Sequence, residues 1–389
     1  MLRFAFFTAI SIAASLVTGS FAEAQTAAPT PAPLRSRSAA FTPDISVNSL
    51  FLYQNSNRGN LPTDVPQNGI SLQEAELQFM ADVDPYFRFV STFALRAELN
   101  NEDPAATPYQ YEFEFEPEEL YVDTQQVPFV GFRIGKFKAA FGRHNLLHTH
   151  AFPFIDAPLI NSQLLGEEGI NDVGVSAAAL IPGLPWFSEI TLQALSGRLE
   201  GTDYWNSQSP NDNAYVGHFK NLWDLSDDLT FEFGLSAARG KNEFANAAAE
   251  LQRGDSDFLG ADVTFKWRPL IGGNTRALIW STEYIDRKVN RPESRNDAKG
   301  FASWVQYQLA QRWWIQARTE YLQAEDNDAA PLALEPFQRK HSALVSYFPS
   351  EFSGFRLQYS HLSDSREEAE QKLMLQFSAM IGAHPAHAY

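Results

Sequence analysis

Between residues 74 and 83 the apolar residues Ala75, Leu77, Phe79, Ala81 and Val83 alternate strictly with Glu74, Glu76, Gln78, Met80 and Asp82. A period of two places the two sets on opposite faces of an extended strand, one apolar and the other mostly charged. The stripe recurs at residues 313–321, where Trp313, Ile315, Ala317, Thr319 and Tyr321 oppose Trp314, Gln316, Arg318 and Glu320. It recurs again where Leu259, Ala261, Val263, Phe265 and Trp267 oppose Asp262, Thr264, Lys266 and Arg268. No stretch after residue 24 approaches the ~18 consecutive apolar residues that a membrane helix requires. Two solutions remain for such strands: a soluble β-sandwich or propeller, or a barrel closed on itself in a membrane.

The connections favour the barrel. Tight turns are expected at 84–85, 125–128, 181–185, 225–228, 268–274, 309–312 and 348–354. Between them fall longer polar segments at 55–69, 100–108, 141–169, 198–212, 240–255, 286–297 and 323–338. Short turns on one rim and long loops on the other mark outer-membrane barrels. Trp313 and Tyr321 end one stripe eight residues apart, or about 26 Å along a strand. That separation suits two aromatic girdles around an apolar band about 25 Å tall.

The N-terminus agrees. Residues 1–24 carry Arg3, an apolar run over 4–17 and the small-x-small ending Ala22-Glu23-Ala24, the layout of a cleaved secretory signal. Residues 25–43 are rich in Ala, Pro, Ser and Thr and read as a flexible periplasmic lead-in. The barrel then occupies 44–389.

The expected fold class is all-β: a transmembrane antiparallel β-barrel of about sixteen strands. It has short periplasmic turns and long extracellular loops, in the outer membrane of a Gram-negative cell. Its surroundings are outer-membrane lipid and lipopolysaccharide; a homotrimer is one assembly open to such a barrel, though no interface stripe is identifiable in the sequence. A barrel of that size encloses a water-filled lumen. One irregularity is expected: apolar parity shifts between Phe113/Phe115 and Leu120/Val122, so a bulge is placed near Pro117-Glu118. The formal charge of −17, without a basic cluster, excludes a nucleic-acid surface, and the absence of cysteine excludes thiolate chemistry.

The polar half of each stripe names the pore-lining candidates Glu74, Glu76, Arg88, Arg96, Glu98, Glu112, Glu114, Arg133, Lys266, Arg318, Glu320 and Arg356. Asp82, Glu116, Glu232, Asp262 and Glu283 add further acid, and an acid-rich wall predicts a weak cation preference. The longest connection, 141–169, is the expected constriction, folded into the lumen, with Phe152, Phe154, Asp156, Glu167 and Glu168 as its key residues. It also carries His144, His148 and His150. His148 and His150 share a side if extended, and His144 and His148 share a face if helical. With Asp156, Glu167 or Glu168 they offer a nitrogen and oxygen set suited to zinc. His384 and His387 form a second pair near the tail. No cofactor is required, and zinc is the metal to test.

Residues 130–143, VGFRIGKFKAAFGR, followed by residues 152–175, FPFIDAPLINSQLLGEEGINDVGV, resemble the phosphate-selective porin O and P superfamily. The version with HTHAFPFID, LLGEEG and the tail IGAHPAHAY is similar to a branch labelled zinc-regulated outer-membrane receptors. The resemblance implies a barrel porin. The family's anion pathway and the receptor's energised transport are set against an acidic chain with too few stripes for a twenty-two-stranded transporter.

An enzyme would need a Ser-His or Asp-His arrangement. Ser342 beside His341, and Ser360 beside His361, point to opposite strand faces, and no G-x-S-x-G or HExxH sequence occurs. The expected function is passive diffusion of small hydrophilic solutes or ions. The alternative is a zinc receptor or uptake barrel using the loop histidines, with a closed adhesin-type barrel as a third class.

Overall fold

The computed structural model describes residues 43–58, 68–100, 110–199, 202–245, 251–273, 275–290, 297–324, 337–365 and 367–382. The expected leader, nearly all of the lead-in, and the pair His384 and His387 lie outside the described residues, as do the side chains of Glu98 and Glu112.

Sixteen strands follow in chain order: β1 (Asp44–Ser56), β2 (Gly69–Asp82), β3 (Phe87–Asn100), β4 (Gln110–Thr124), β5 (Val130–Lys138), β6 (Asn171–Leu180), β7 (Phe187–Leu195) and β8 (Ala214–Ser226). The second half comprises β9 (Leu229–Ala245), β10 (Leu251–Trp267), β11 (Leu278–Val289), β12 (Ala298–Ala310), β13 (Trp313–Ala324), β14 (Phe337–Ser350), β15 (Ser353–Asp364) and β16 (Glu370–Gly382). Each strand pairs antiparallel with its chain neighbours, and β1 pairs with β16 to close the barrel. Closure leaves no sheet edge, the condition for carrying a β-structure through lipid.

Every expected tight turn joins a strand pair, from the two residues between β8 and β9 to the ten between β10 and β11. An eighth connection on the loop rim, residues 365–369, joins β15 to β16 and was not among the expected loops. The expected loop at 240–255 is instead mostly strand: β9 runs to Ala245, and Leu251 pairs with it across the hairpin. Its polar residues pair across strands, with Arg239 2.9 Å from Asp255, so this run is a solvated hairpin arm.

Side chains follow the period-two reading. Phe51, Phe113, Ile134, Leu192, Leu259 and Leu357 are exposed on the outer face, while Gln316, Arg318 and Glu320 are buried on the inner one. Near the turn rim, Trp223, Phe231, Phe265 and Trp280 stack across β8 to β11, with successive ring centroids 5.3, 4.6 and 5.5 Å apart. Toward the loop rim Tyr321 lies 6.3 Å from Phe301 and 6.4 Å from Phe337. Rings at both levels match the two expected girdles.

The apolar core lies within the barrel, on the loop side. Phe137, Phe141, Phe154, Ile155, Ile160 and Leu165 pack there with Tyr204 and Trp205 from the connection between β7 and β8. The expected water-filled lumen is occupied on this side by more than the one expected loop: its loop half is packed with side chains, because two connections fold inward and bury their apolar residues. A fully buried side chain of this kind contributes ~1.5–3 kcal/mol. Gly240 shows how close the second segment comes, since a Cβ there would lie 2.5 Å from the Trp205 ring.

Candidate functional site: the infolded loop and its carboxylate clamp

The chain leaves β5 at Lys138 and turns inward at Gly142, whose φ of 63° favours glycine. A Cβ at this position would also strike the Glu283 carboxylate, which accepts the Arg143 and His144 amides at 3.2 and 3.3 Å. Two 3-10 turns, His144–Leu146 and Thr149–Ala151, and the short helix α1 (Leu159–Leu164) follow. The Phe154 ring lies under the Arg318 guanidinium, 4.5 Å from its carbon, and Leu159, Ile160 and Leu164 are buried.

Polar groups of the wall fix the loop on the far side. The Asp156 carboxylate accepts from Arg318 at 2.6 Å, Lys340 at 2.5 Å and Gln358 at 2.8 Å. Burial opposes its ionisation, but Lys340 and Arg318 override that and hold the carboxyl far below the usual range. Arg356 donates to the Phe152 and Pro153 carbonyls at 2.9 and 2.5 Å, and Glu320 accepts the Leu159 amide at 2.6 Å.

A second anchor forms against β2, β3 and β4. Pairing between β3 and β4 steps from Thr92↔Glu119 to Phe93↔Pro117, skipping Glu118. This is the bulge expected near Pro117-Glu118. A bulge sets two consecutive residues against one, which re-aims the side chains. Glu118 and Glu119 are both buried, and both reach His148. Nδ1 of His148 lies 2.9 Å from Glu118 and 3.3 Å from Glu76, and its Nε2 lies 2.9 Å from Glu119. Burial disfavours the imidazolium, but Glu76, Glu118 and Glu119 outweigh it and raise the His148 pKa well above its ordinary value.

Nδ1 of His150 lies 3.0 Å from the same Glu76 oxygen, Oε2, and Thr149 donates to Glu74 at 2.9 Å. Arg96 binds Glu74 at 2.9 Å, Glu118 at 2.5 Å and also Glu168, and Lys138 lies 3.9 Å from Glu168.

The histidine set expected from sequence is therefore split. His144 sits apart, its ring 4.4 Å from Phe152, with neither ring nitrogen hydrogen-bonded. Burial and the nearby Arg318 and Lys138 charges push its pKa down to about 3. The oxygen partners also differ: Asp156 serves Arg318 and Lys340, Glu168 serves Arg96, and Glu167 is exposed. The glutamates that meet the imidazoles come from the strands. Phe154 is a buried anchor and does not edge an opening.

The remaining pore-lining candidates whose side chains are described sit on the inner wall. Toward the turn rim, Arg88 pairs with Asp82 at 2.9 Å, and Arg133 pairs with Asp123 at 2.8 Å while covering the Tyr121 ring. Lys266 lies 3.5 Å from Glu232, and Glu114 is exposed opposite Arg96 on β3. Ser342 is buried inward and bonds Ser360 at 2.9 Å, while His341 is exposed on the outer face, so that pair forms no dyad.

The fold now has known counterparts. OprB of Pseudomonas putida superposes with a TM-score of 0.58, covering 87% of this chain and 94% of its own at 8% identity. OmpT, an outer membrane protein of Vibrio cholerae, scores 0.56 at 9% identity over 87% and 97%, and a trimer form of it is also similar. The outer membrane channel DcaP of Acinetobacter baumannii scores 0.52 at 11% identity over 87% and 96%. The chain thus has the fold of the sixteen-stranded outer-membrane barrels. A protein of Aquifex aeolicus without an assigned function is 26% identical over 353 residues, covering 83% of this chain and 71% of that protein. No family model matches the chain.

Proposed function

We propose that the protein is an outer-membrane channel for passive diffusion of small hydrophilic solutes or ions, narrowed by the loop between β5 and β6. One observation carries this reading: the loop is seated inside a sixteen-stranded barrel by wall side chains from many strands, as a constriction must be. The polar, charge-paired inner wall toward the turn rim supports an aqueous path. The resemblance to the phosphate-selective porin O and P superfamily supports the same class, and the trimer form of OmpT supports a trimer.

The formal charge of −17 supports a weak cation preference. Planar-bilayer recording tests both parts. Steady conductance with a reversal potential slightly favouring cations is expected in a salt gradient. Absence of conductance would overturn the channel, and strong anion preference would overturn the cation preference.

A further inference from the structure

We infer that His148, His150, Glu76 and Glu118 form a binding site for one divalent transition-metal ion such as Zn²⁺, which staples the loop to the barrel wall. Glu76 Oε2 is shared by two clusters of potential ligand atoms, one with Glu118 and His148 and the other with Glu74 and His150. Glu76 Oε2 lies 3.3 Å from His148 Nδ1 and 3.0 Å from His150 Nδ1, and Glu118 Oε2 lies 2.9 Å from His148 Nδ1. Ligand atoms held at zinc's ~2.0–2.1 Å from a shared ion stand about 3.3 Å apart along a tetrahedral edge. These three spacings lie within a few tenths of an ångström of that edge, while His150 and Glu118, which stand in different clusters around Glu76, must draw together on the shared ion.

Three further observations point to a cation. Glu76 Oε2 receives no correctly directed hydrogen bond despite its two imidazole neighbours, and Glu74 Oε1, buried beside it, makes no hydrogen bond. Charge is unbalanced: Glu74, Glu76, Glu118, Glu119 and Glu168 face the permanent cations Arg96 and Lys138, leaving a formal surplus of three negative charges before the imidazoles are counted. Buried carboxylates in that ratio call for positive charge. The outer partners are also built. With Nδ1 on the ion, Nε2–H of His148 donates to Glu119 at 2.9 Å, and Glu119 in turn accepts the Lys138 amide at 3.2 Å. A carboxylate behind a ligating imidazole fixes its tautomer and raises its basicity. Imidazole nitrogen with carboxylate suits Zn²⁺, Cu²⁺ or Ni²⁺ over Mg²⁺ or Ca²⁺.

The inference is independent of conduction, so a non-conducting barrel would leave it standing. Zn²⁺ is titrated by calorimetry into the full refolded chain, with a gel-shift check that each variant is folded, and Co²⁺ serves as a spectroscopic probe of geometry. One ion per chain is expected, with the absorption of tetrahedral Co²⁺ and slower amide exchange across residues 148–150. Glu76→Gln and the double variant His148→Ala/His150→Ala should lose the site. Glu119→Gln, which keeps every ligand, should weaken it ~10–100-fold, and His144→Ala should leave it unchanged. Wild-type affinity in Glu76→Gln and in the double variant, or no saturable binding to the wild type, would overturn the assignment. Octahedral Co²⁺ with unchanged loop exchange would overturn the staple.

Discussion

Replacing Asp156 with Asn should loosen the loop from the wall without disturbing the barrel. The carboxylate accepts three side-chain hydrogen bonds, two of them from the cations Arg318 and Lys340, and it projects from the loop, so no strand pairing depends on it. Hydrogen bonds to charged groups contribute ~1.5–3 kcal/mol each. Asn keeps one acceptor, and Glu320 remains 2.7 Å from Arg318 and 3.9 Å from Lys340, so part of the cation charge stays balanced. A net loss of ~3 kcal/mol follows, at the lower end for breaking a buried pair. At ~1.4 kcal/mol per tenfold this raises the open population of the loop ~150-fold. Native-state hydrogen exchange reads that population directly, even where the closed form dominates. The reporters are the Ile155 amide, bonded to Gln358 at 2.8 Å, and the Leu159 amide, bonded to Glu320 at 2.6 Å. Both should exchange ~100-fold faster in the variant, while amides of β10 and β11 keep their rates. Wild-type exchange at Ile155 and Leu159 would refute the claim that Asp156 anchors the loop.

Acid should loosen the same loop through His144. Its pKa in the seated loop is about 3 against 6.5 when free, so the neutral ring's stability is intact above pH 6.5 and lost as pH falls toward 3. Arg318, Lys138 and Arg143 disfavour its protonation and Asp156 favours it. At pH 4.5, two pH units below 6.5, the cost is ~2.7 kcal/mol, or about 100-fold in loop opening. His144→Phe should lack that part of the acid response in exchange or conductance, and an unchanged pH profile in the variant would disprove it. Gly240→Ala should displace Trp205, costing ~1–3 kcal/mol of overpacking. Its signature is faster proteolysis within the connection between β7 and β8, and wild-type cleavage there would count against the close contact. Gly135→Ala should impair refolding yield, because at φ 137° its Cβ would lie 2.1 Å from the Leu120 carbonyl oxygen across β4 and β5. A wild-type yield would show that the pair can spread.

The barrel was legible because its signals are local. Alternation of Gln316, Arg318 and Glu320 with Ile315, Ala317 and Thr319 needs only the pleat of one strand, and each tight turn needs only its own residues. The inward loop was legible from its length and its apolar residues Phe154, Ile155 and Ile160. The histidine–carboxylate clamp was not, because its parts lie far apart in sequence: His148 and His150 meet Glu76 from β2, and His148 meets Glu118 from β4, only once the barrel closes and the loop folds back. Even with the bulge foreseen, parity does not reveal that Glu118 and Glu119 both turn inward and straddle one imidazole. A second register shift, between Leu50 and Phe51 opposite Gln73, acts similarly on β2. Gln73 and Glu74 are adjacent, yet both bond groups inside the barrel: Gln73 the Ile155 carbonyl, and Glu74 the side chains of Arg96 and Thr149. Each bulge breaks a ladder, and each supplies a side chain that holds the loop. These two mid-strand bulges, unlike the register shifts beside the tight turns, are where the wall receives the loop, and straightening the β4 bulge by deleting Glu118 should release His148 while preserving the sixteen-stranded closure.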